Sequence, residues 1–201
     1  MRLTYLLLTT AISLSLSSCA PALLVGGGAI VGGTALQERT LGTQINDKTT
    51  WGKIKSALAA KDKGYSDINI EVNEGRVLLV GNVKTPEDRL EVLKIVWKQQ
   101  GVSEVINELQ FGDNEQTIKG LATDGWITTQ VKSKLLFSQN IKSMNYNIET
   151  INKVVYLIGI AQNQKELDEA TDVASRIKYV EKVVSYVRLK DSKIRKTKHD
   201  L

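Results

Sequence analysis

An internal repeat constrains this chain more than any other feature. Trp51-Gly-Lys-Ile54-Lys-Ser56-Ala-Leu58 returns as Thr128-Thr-Gln-Val131-Lys-Ser133-Lys-Leu135, shifted by 77 residues. Val77-Leu-Leu-Val80-Gly81 returns as Val155-Tyr-Leu-Ile158-Gly159, and Val102-Ser-Glu-Val105 as Val180-Glu-Lys-Val183, both shifted by 78. Three matches in the same order at a nearly constant shift define two tandem domains, 45–112 and 123–190. The 201 residues leave room for two small cores of this kind, and 42% hydrophobic content excludes wholesale disorder.

Both copies show the order α-β-β-α-β. In the first, a helix beginning near Asp47–Thr50 sets Ile54 and Leu58 one turn apart. Ile68, Ile70 and Val72 alternate as a strand, Asn73-Glu-Gly75 supplies a turn, and Val77–Val80 returns as the second strand of a hairpin. Thr85-Pro86-Glu87-Asp88 is a helix start, with a capping hydroxyl, a proline at the first helical position and acids at the positive end of the dipole. Leu90, Leu93 and Trp97 are its expected core stripe, and Val105 to Phe111 the last strand. The second copy predicts a helix from Asp124 to Ser138 and strands near 145–150 and 154–160. A helix follows from Asn163, with Glu166 at capping-box spacing, and then a strand through Val183, Ser185, Val187 and Leu189. Each copy is thus α+β, two helices packed on a three-stranded sheet. Residues 113–122 read as a linker and 191–201 as a basic disordered tail.

The first residues are an address rather than structure. Arg2 precedes an uncharged apolar run, Leu3 to Leu16, and then Leu16-Ser17-Ser18-Cys19. A short basic start, an apolar run of this length and small residues before a cut site describe an export signal, 1–18. Leu-Ser-Ser-Cys resembles the bacterial lipobox. That resemblance implies cleavage before Cys19 and its acylation by palmitate-type chains, enough for stable anchoring. In lipoproteins an aspartate after the acylated cysteine is the usual inner-membrane retention signal; Ala20 stands here, which implies the outer membrane, facing the periplasm. Residues 19–44 read as a lipidated cysteine and glycine-rich tether. No lysine follows these glycines, so they make no phosphate-binding loop.

The residues resemble the BON domain family. The α-β-β-α-β order, the apolar strands ending in Gly81 and Gly159, and the Gly101-Val102 pair carry the resemblance. The lipobox, Arg39-Thr-Leu-Gly42-Thr-Gln-Ile45 and Asp124-Gly-Trp126-Ile-Thr-Thr narrow it to dual-BON outer-membrane lipoproteins. Two departures stand out: Lys153 where the first copy has Gly75, and Tyr179 where it has Gly101. Glycine suits left-handed backbone, so the second copy's turns are expected to differ there.

Charge separates the copies. Residues 45–112 carry 10 basic and 10 acidic side chains, residues 123–190 carry 10 and 7, and the tail 4 and 2. A basic surface attracts phosphates of nucleic acid or lipid, and behind an export signal lipid is the polyanion at hand. On the first helix of the second copy, Ile127, Val131 and Leu135 face inward while Trp126, Ser133 and Phe137 fall on another side, Leu136 at its edge. Such a surplus strip marks a contact surface. Three accounts fit it: insertion into anionic lipid with Lys132 and Lys134 near the phosphates, packing against the first copy, or docking of another protein. The family resemblance implies the first, with Trp126 as the inserting residue. It further implies partners among anionic phospholipids such as phosphatidylglycerol and cardiolipin, a role in envelope integrity, and proximity to outer-membrane protein assembly or division machinery. A periplasmic docking adaptor or chaperone-like module is the alternative. A single cysteine and one histidine, His199, provide no zinc site and no nucleophile–base pair, so neither enzyme chemistry nor a metal or other cofactor is expected.

Overall fold

The computed structural model describes residues 39–61, 63–112, 118–193 and 195; the expected export signal, Cys19, most of the expected tether, residues 113–117 of the expected linker and the end of the tail lie outside them. Helix α1 spans Leu41–Ala59, capped by Thr40, whose hydroxyl accepts from the Thr43 amide. It starts earlier than Asp47 because its first turns carry Leu41 and Ile45 exposed, so they leave no periodic apolar trace. Strands β1 (Asn69–Asn73) and β2 (Arg76–Val83) form an antiparallel hairpin. Helix α2 (Pro86–Trp97), capped by Thr85, returns the chain to β3 (Glu104–Phe111), which pairs parallel to β2. The second domain repeats this with α3 (Ile118–Phe137), β4 (Tyr146–Ile151), β5 (Val154–Ala161), α4 (Gln164–Ser175) and β6 (Lys182–Leu189). Helix α3 takes up residues 118–122, which by sequence read as linker. Two α+β domains, each with a three-stranded mixed sheet centred on its second strand, result.

One carboxylate per domain ties the first helix to the hairpin. Asp47 accepts from the Glu74 and Gly75 amides, both at 2.9 Å. Asp124 accepts from the Asn152 and Lys153 amides, both at 2.8 Å. Both turns have two consecutive left-handed residues, Glu74 (φ 54°) and Gly75 (72°), Asn152 (50°) and Lys153 (63°). This is the geometry of tight hairpins. The expected difference at Lys153 is therefore absent: the two amide bonds to Asp124 impose the turn on a residue that would not choose it. Glu166 departs from a simple capping box. Its amide donates to the Asn163 side chain, but its carboxylate accepts from the Gln162 and Lys142 amides, locking α4 to the loop after α3.

Helices cover one face of each sheet. Ile54, Leu58, Val92 and Val96 meet Ile70, Val72, Val77 and Leu79 in the first domain, and Ile127, Val131, Leu135, Ala170 and Ala174 meet Ile148, Val155 and Leu157 in the second. The stripe of α2 is thus Val92–Val96 with Leu93 at its edge; Leu90 and Trp97 are exposed, a correction to the expected Leu90–Leu93–Trp97 stripe.

The uncovered sheet faces pack on each other. Leu78 and Val80 meet Tyr156 and Ile158, flanked by Ile106, Val184 and Tyr186. Alternate residues of β2 and β5 thus point into different cores, which makes both strands nearly continuous apolar runs. Polar contacts obey the repeat: Asn69 donates to Glu149 (2.9 Å) and Asn147 donates to Glu71 (2.6 Å), equivalent pairs under the 78-residue shift. The Tyr186 hydroxyl donates to Glu108, which holds the same repeat position in the first domain. Arg76 donates to the Tyr186 carbonyl, and Arg188 pairs with Glu104. Beyond β6, Arg195 pairs with Glu74 at 3.0 Å, so the expected disorder of the tail does not extend to this residue. Both cores and all these contacts close within residues 39–195, a complete folding unit.

Burial pushes the Glu149 carboxyl up to about 7, reinforced by Glu71 and Asp124 and opposed by Lys132. Burial also raises Glu71, against the Asn147 hydrogen bond, Lys132 and Arg39. A carboxyl whose folded pKa is raised binds its proton more tightly when folded, so the contribution of Glu149 to stability is fully present below about 4.5 and is lost as pH rises through about 7. Glu149→Gln keeps an acceptor for Asn69 and removes this penalty. Thermal unfolding at pH 8 should show it more stable than wild type, by on the order of 1 kcal/mol once residual solvation is discounted, with no gain at pH 4. Asp124→Ala orphans two turn amides and should cost about 2–3 kcal/mol by urea denaturation.

Candidate functional site

The face of α3 that carries Trp126 runs from Lys119 through Ser133 to Phe137, all within roughly 40° of one another about the helix axis and spanning about 27 Å. Ile127, Val131 and Leu135 are fully buried on a different side. Trp126 remains 42% exposed, Leu136 63% and Phe137 81%. The surplus apolar strip therefore faces solvent. It does not pack on the first domain, because domain–domain contact uses the sheet backs and α3 lies in the outer layer beyond its own sheet.

Trp126 is positioned by Tyr179. Their rings meet edge to face, with centroids 5.7 Å apart. Tyr179 has φ 72°, a left-handed conformation unusual for a bulky residue. Its place in the first domain is Gly101 (φ 97°), where an added Cβ would fall 2.2 Å from the Thr50 hydroxyl. Ile127, at the position of Thr50 in the repeat, is packed inward, so the second domain admits a side chain where the first does not. In the first domain Thr49 and Gly101 stand at the places of Trp126 and Tyr179, and the same corner is an open cleft of about 460 Å³ bordered by Lys53 and Gln100. One backbone corner thus carries a polar cleft in one copy and a strained aromatic pair in the other.

Cations surround that pair. The Lys178 ammonium lies 4.7 Å from the Tyr179 ring centroid. Lys178 and Lys119 together hold the Tyr179 phenol below its ordinary range. Lys132 occupies another flank of α3, where it favours ionisation of Glu149 in its own domain and of Glu71 across the domain boundary. Lys134 is exposed on the flank opposite Lys132. Of the residues expected from sequence, Trp126 and Phe137 share one face, Leu136 borders it, and the two lysines diverge. Tyr179, Lys178 and Lys119 complete the cluster and were legible only as a missing glycine and unremarkable surface charge. Cys19 lies outside the described residues. Among the described residues no helix is long and apolar enough to cross a membrane, and no group of three His, Cys, Asp or Glu side chains could hold a metal ion.

Two α-β-β-α-β modules are joined back to back, each pinned by an aspartate at its hairpin. The BON domain family model matches residues 46–113 and 123–191, and the chain belongs to that family. It is 33% identical over 178 residues to the outer membrane lipoprotein DolP of Haemophilus influenzae, covering 88% of this chain and 91% of that protein. It is 46% identical over 132 residues to an uncharacterized protein of the gshII 5′ region of Anaplasma centrale, covering 66% and 87%. It is 30% identical over 151 residues to a 21 kDa hemolysin of Actinobacillus pleuropneumoniae, covering 74% and 77%.

Tyr179→Gly relieves the left-handed strain but removes the edge that holds the indole. Trp126 fluorescence should shift to the red and become more accessible to a neutral quencher, while global stability changes by less than about 1 kcal/mol because the two effects oppose.

Proposed function

We propose that this chain is a non-catalytic outer-membrane lipoprotein, anchored by acylated Cys19 and facing the periplasm, whose second BON domain holds anionic phospholipid and thereby supports envelope integrity. The observation that carries this reading is the Trp126–Tyr179 pair: aromatic, partly exposed, rimmed by Lys119 and Lys178, and absent from the equivalent corner of the first domain. An indole offers an apolar body and a polar N–H, the combination favoured between hydrocarbon and headgroups. Phe137 and Leu136 extend the apolar contact. Lys134, with Lys119 and Lys178, meets headgroup phosphates such as those of phosphatidylglycerol or cardiolipin. Lys132 contributes long-range attraction while it also serves Glu71 and Glu149. The name and full-length similarity of the Haemophilus relative support the location, as does the leader ending in Leu16-Ser17-Ser18-Cys19.

Residues 39–195 should cosediment with vesicles containing phosphatidylglycerol and not with neutral phosphatidylcholine vesicles. Trp126→Glu should weaken that binding at least tenfold, and raising salt from about 0.05 to about 0.3 M should weaken the wild type as surface charge is screened. Indifference of the wild type to both vesicles overturns lipid recognition and leaves the strip to a docking protein, at outer-membrane protein assembly or division sites.

A further inference from the structure

Helix α2 of the first domain carries its own unpartnered strip. Leu90 is 55% and Trp97 54% exposed, and their seven-residue spacing is about two helical turns, roughly 10 Å. The second domain has Asp168 and Ser175 at these positions, so the strip is not a demand of the fold. Four charges lie along one flank within a sector of roughly 60°. Glu87 and Glu91 occupy the N-terminal half of α2; Lys94 and Lys98 occupy its C-terminal end. Glu91 already meets Lys61 and Lys63, whereas no ion pair ties Glu87, Lys94 or Lys98 among the described residues.

That pattern is complementary to itself when reversed. Turning a second α2 about a two-fold axis midway between Leu90 and Trp97 keeps the charged flanks on the same side while inverting their order. Each Trp97 then covers the other copy's Leu90, and each Glu87 comes within one helical turn of the other copy's Lys98. The helix dipoles oppose favourably as well. A parallel two-fold pairing would leave the two charged flanks on opposite sides of the seam, where they do not meet, and an anionic bilayer would find both signs along this flank rather than cations alone. We propose that α2 of the first domain is a self-association surface through which two copies of this chain pair as an antiparallel, two-fold symmetric dimer. The surface lies in the helix layer of the first domain, beyond both sheets from α3, and its pairing leaves Trp126 uncovered in each copy.

A single-helix contact is smaller than a standard interface, so the dimer should form with a midpoint of roughly 0.1–1 mM. Sedimentation velocity of residues 39–195, from about 10 μM to about 2 mM, reads it. The variant Leu90→Asp with Trp97→Ser installs residues the second domain already carries there; it should retain the far-UV spectrum and stay monomeric throughout. Glu87→Lys and Lys98→Glu should each raise the midpoint several-fold, and together restore it, since opposite charges again face each other. A wild type that stays monomeric, a dimer unmoved by the apolar double variant, or charge reversals that fail to rescue each other overturns the proposal. Loss of vesicle binding in the Leu90→Asp, Trp97→Ser variant without effect on self-association reassigns the strip to the bilayer and overturns it equally.

Discussion

Everything in this molecule is oriented by two sheet backs buried on each other. A module of about 70 residues buries too little surface to be secure alone. Packing Leu78 and Val80 against Tyr156 and Ile158 gives each sheet a second covered face and forces the four long helices into outer layers. The reciprocal Asn69–Glu149 and Asn147–Glu71 contacts set the register of that packing. They also place two carboxylates where burial raises both. Because the inner faces are buried against each other, they are closed to a membrane or partner, and the two surplus apolar strips lie on the outer helix layers.

Duplication preserved the backbone and let its surface diverge. The hairpin turn survives the change from Gly75 to Lys153 because an aspartate in the preceding helix takes both turn amides in either copy. The corner at Gly101 and Tyr179 diverged further. Thr50 excludes a side chain in one domain, while Tyr179 holds left-handed geometry against Trp126 in the other. Strain retained at one of two equivalent positions is the kind that accumulates where a contact is made.

The repeat, the element order and the tandem α+β architecture were legible because hydrophobic period and turn chemistry are local properties. Trp126 and Phe137 were legible for the same reason: helical geometry alone separates them from Ile127, Val131 and Leu135. Helix boundaries were less so, since the first turns of α1 carry exposed Leu41 and Ile45, which periodicity cannot distinguish from loop. On α2, Leu90 and Trp97 mimic a core stripe by spacing while smaller Val92 and Val96 fill the interior. Size and hydrophobicity do not reveal which side of a helix meets the sheet.

By itself the sequence determined two copies of one module, an uncharged apolar run before a lipobox-like Leu16-Ser17-Ser18-Cys19, and an excess of apolar surface on the helix that carries Trp126. Only the tertiary structure decided that the modules join through their sheets, that Tyr179 and Lys178 complete the aromatic corner, and that Lys132 turns toward Glu71 and Glu149. The reason is separation along the chain. Trp126 and Tyr179 stand 53 residues apart, and the Asn69–Glu149 pair 80, so neither leaves a periodic mark; each meeting exists only after the sheets have set the layers.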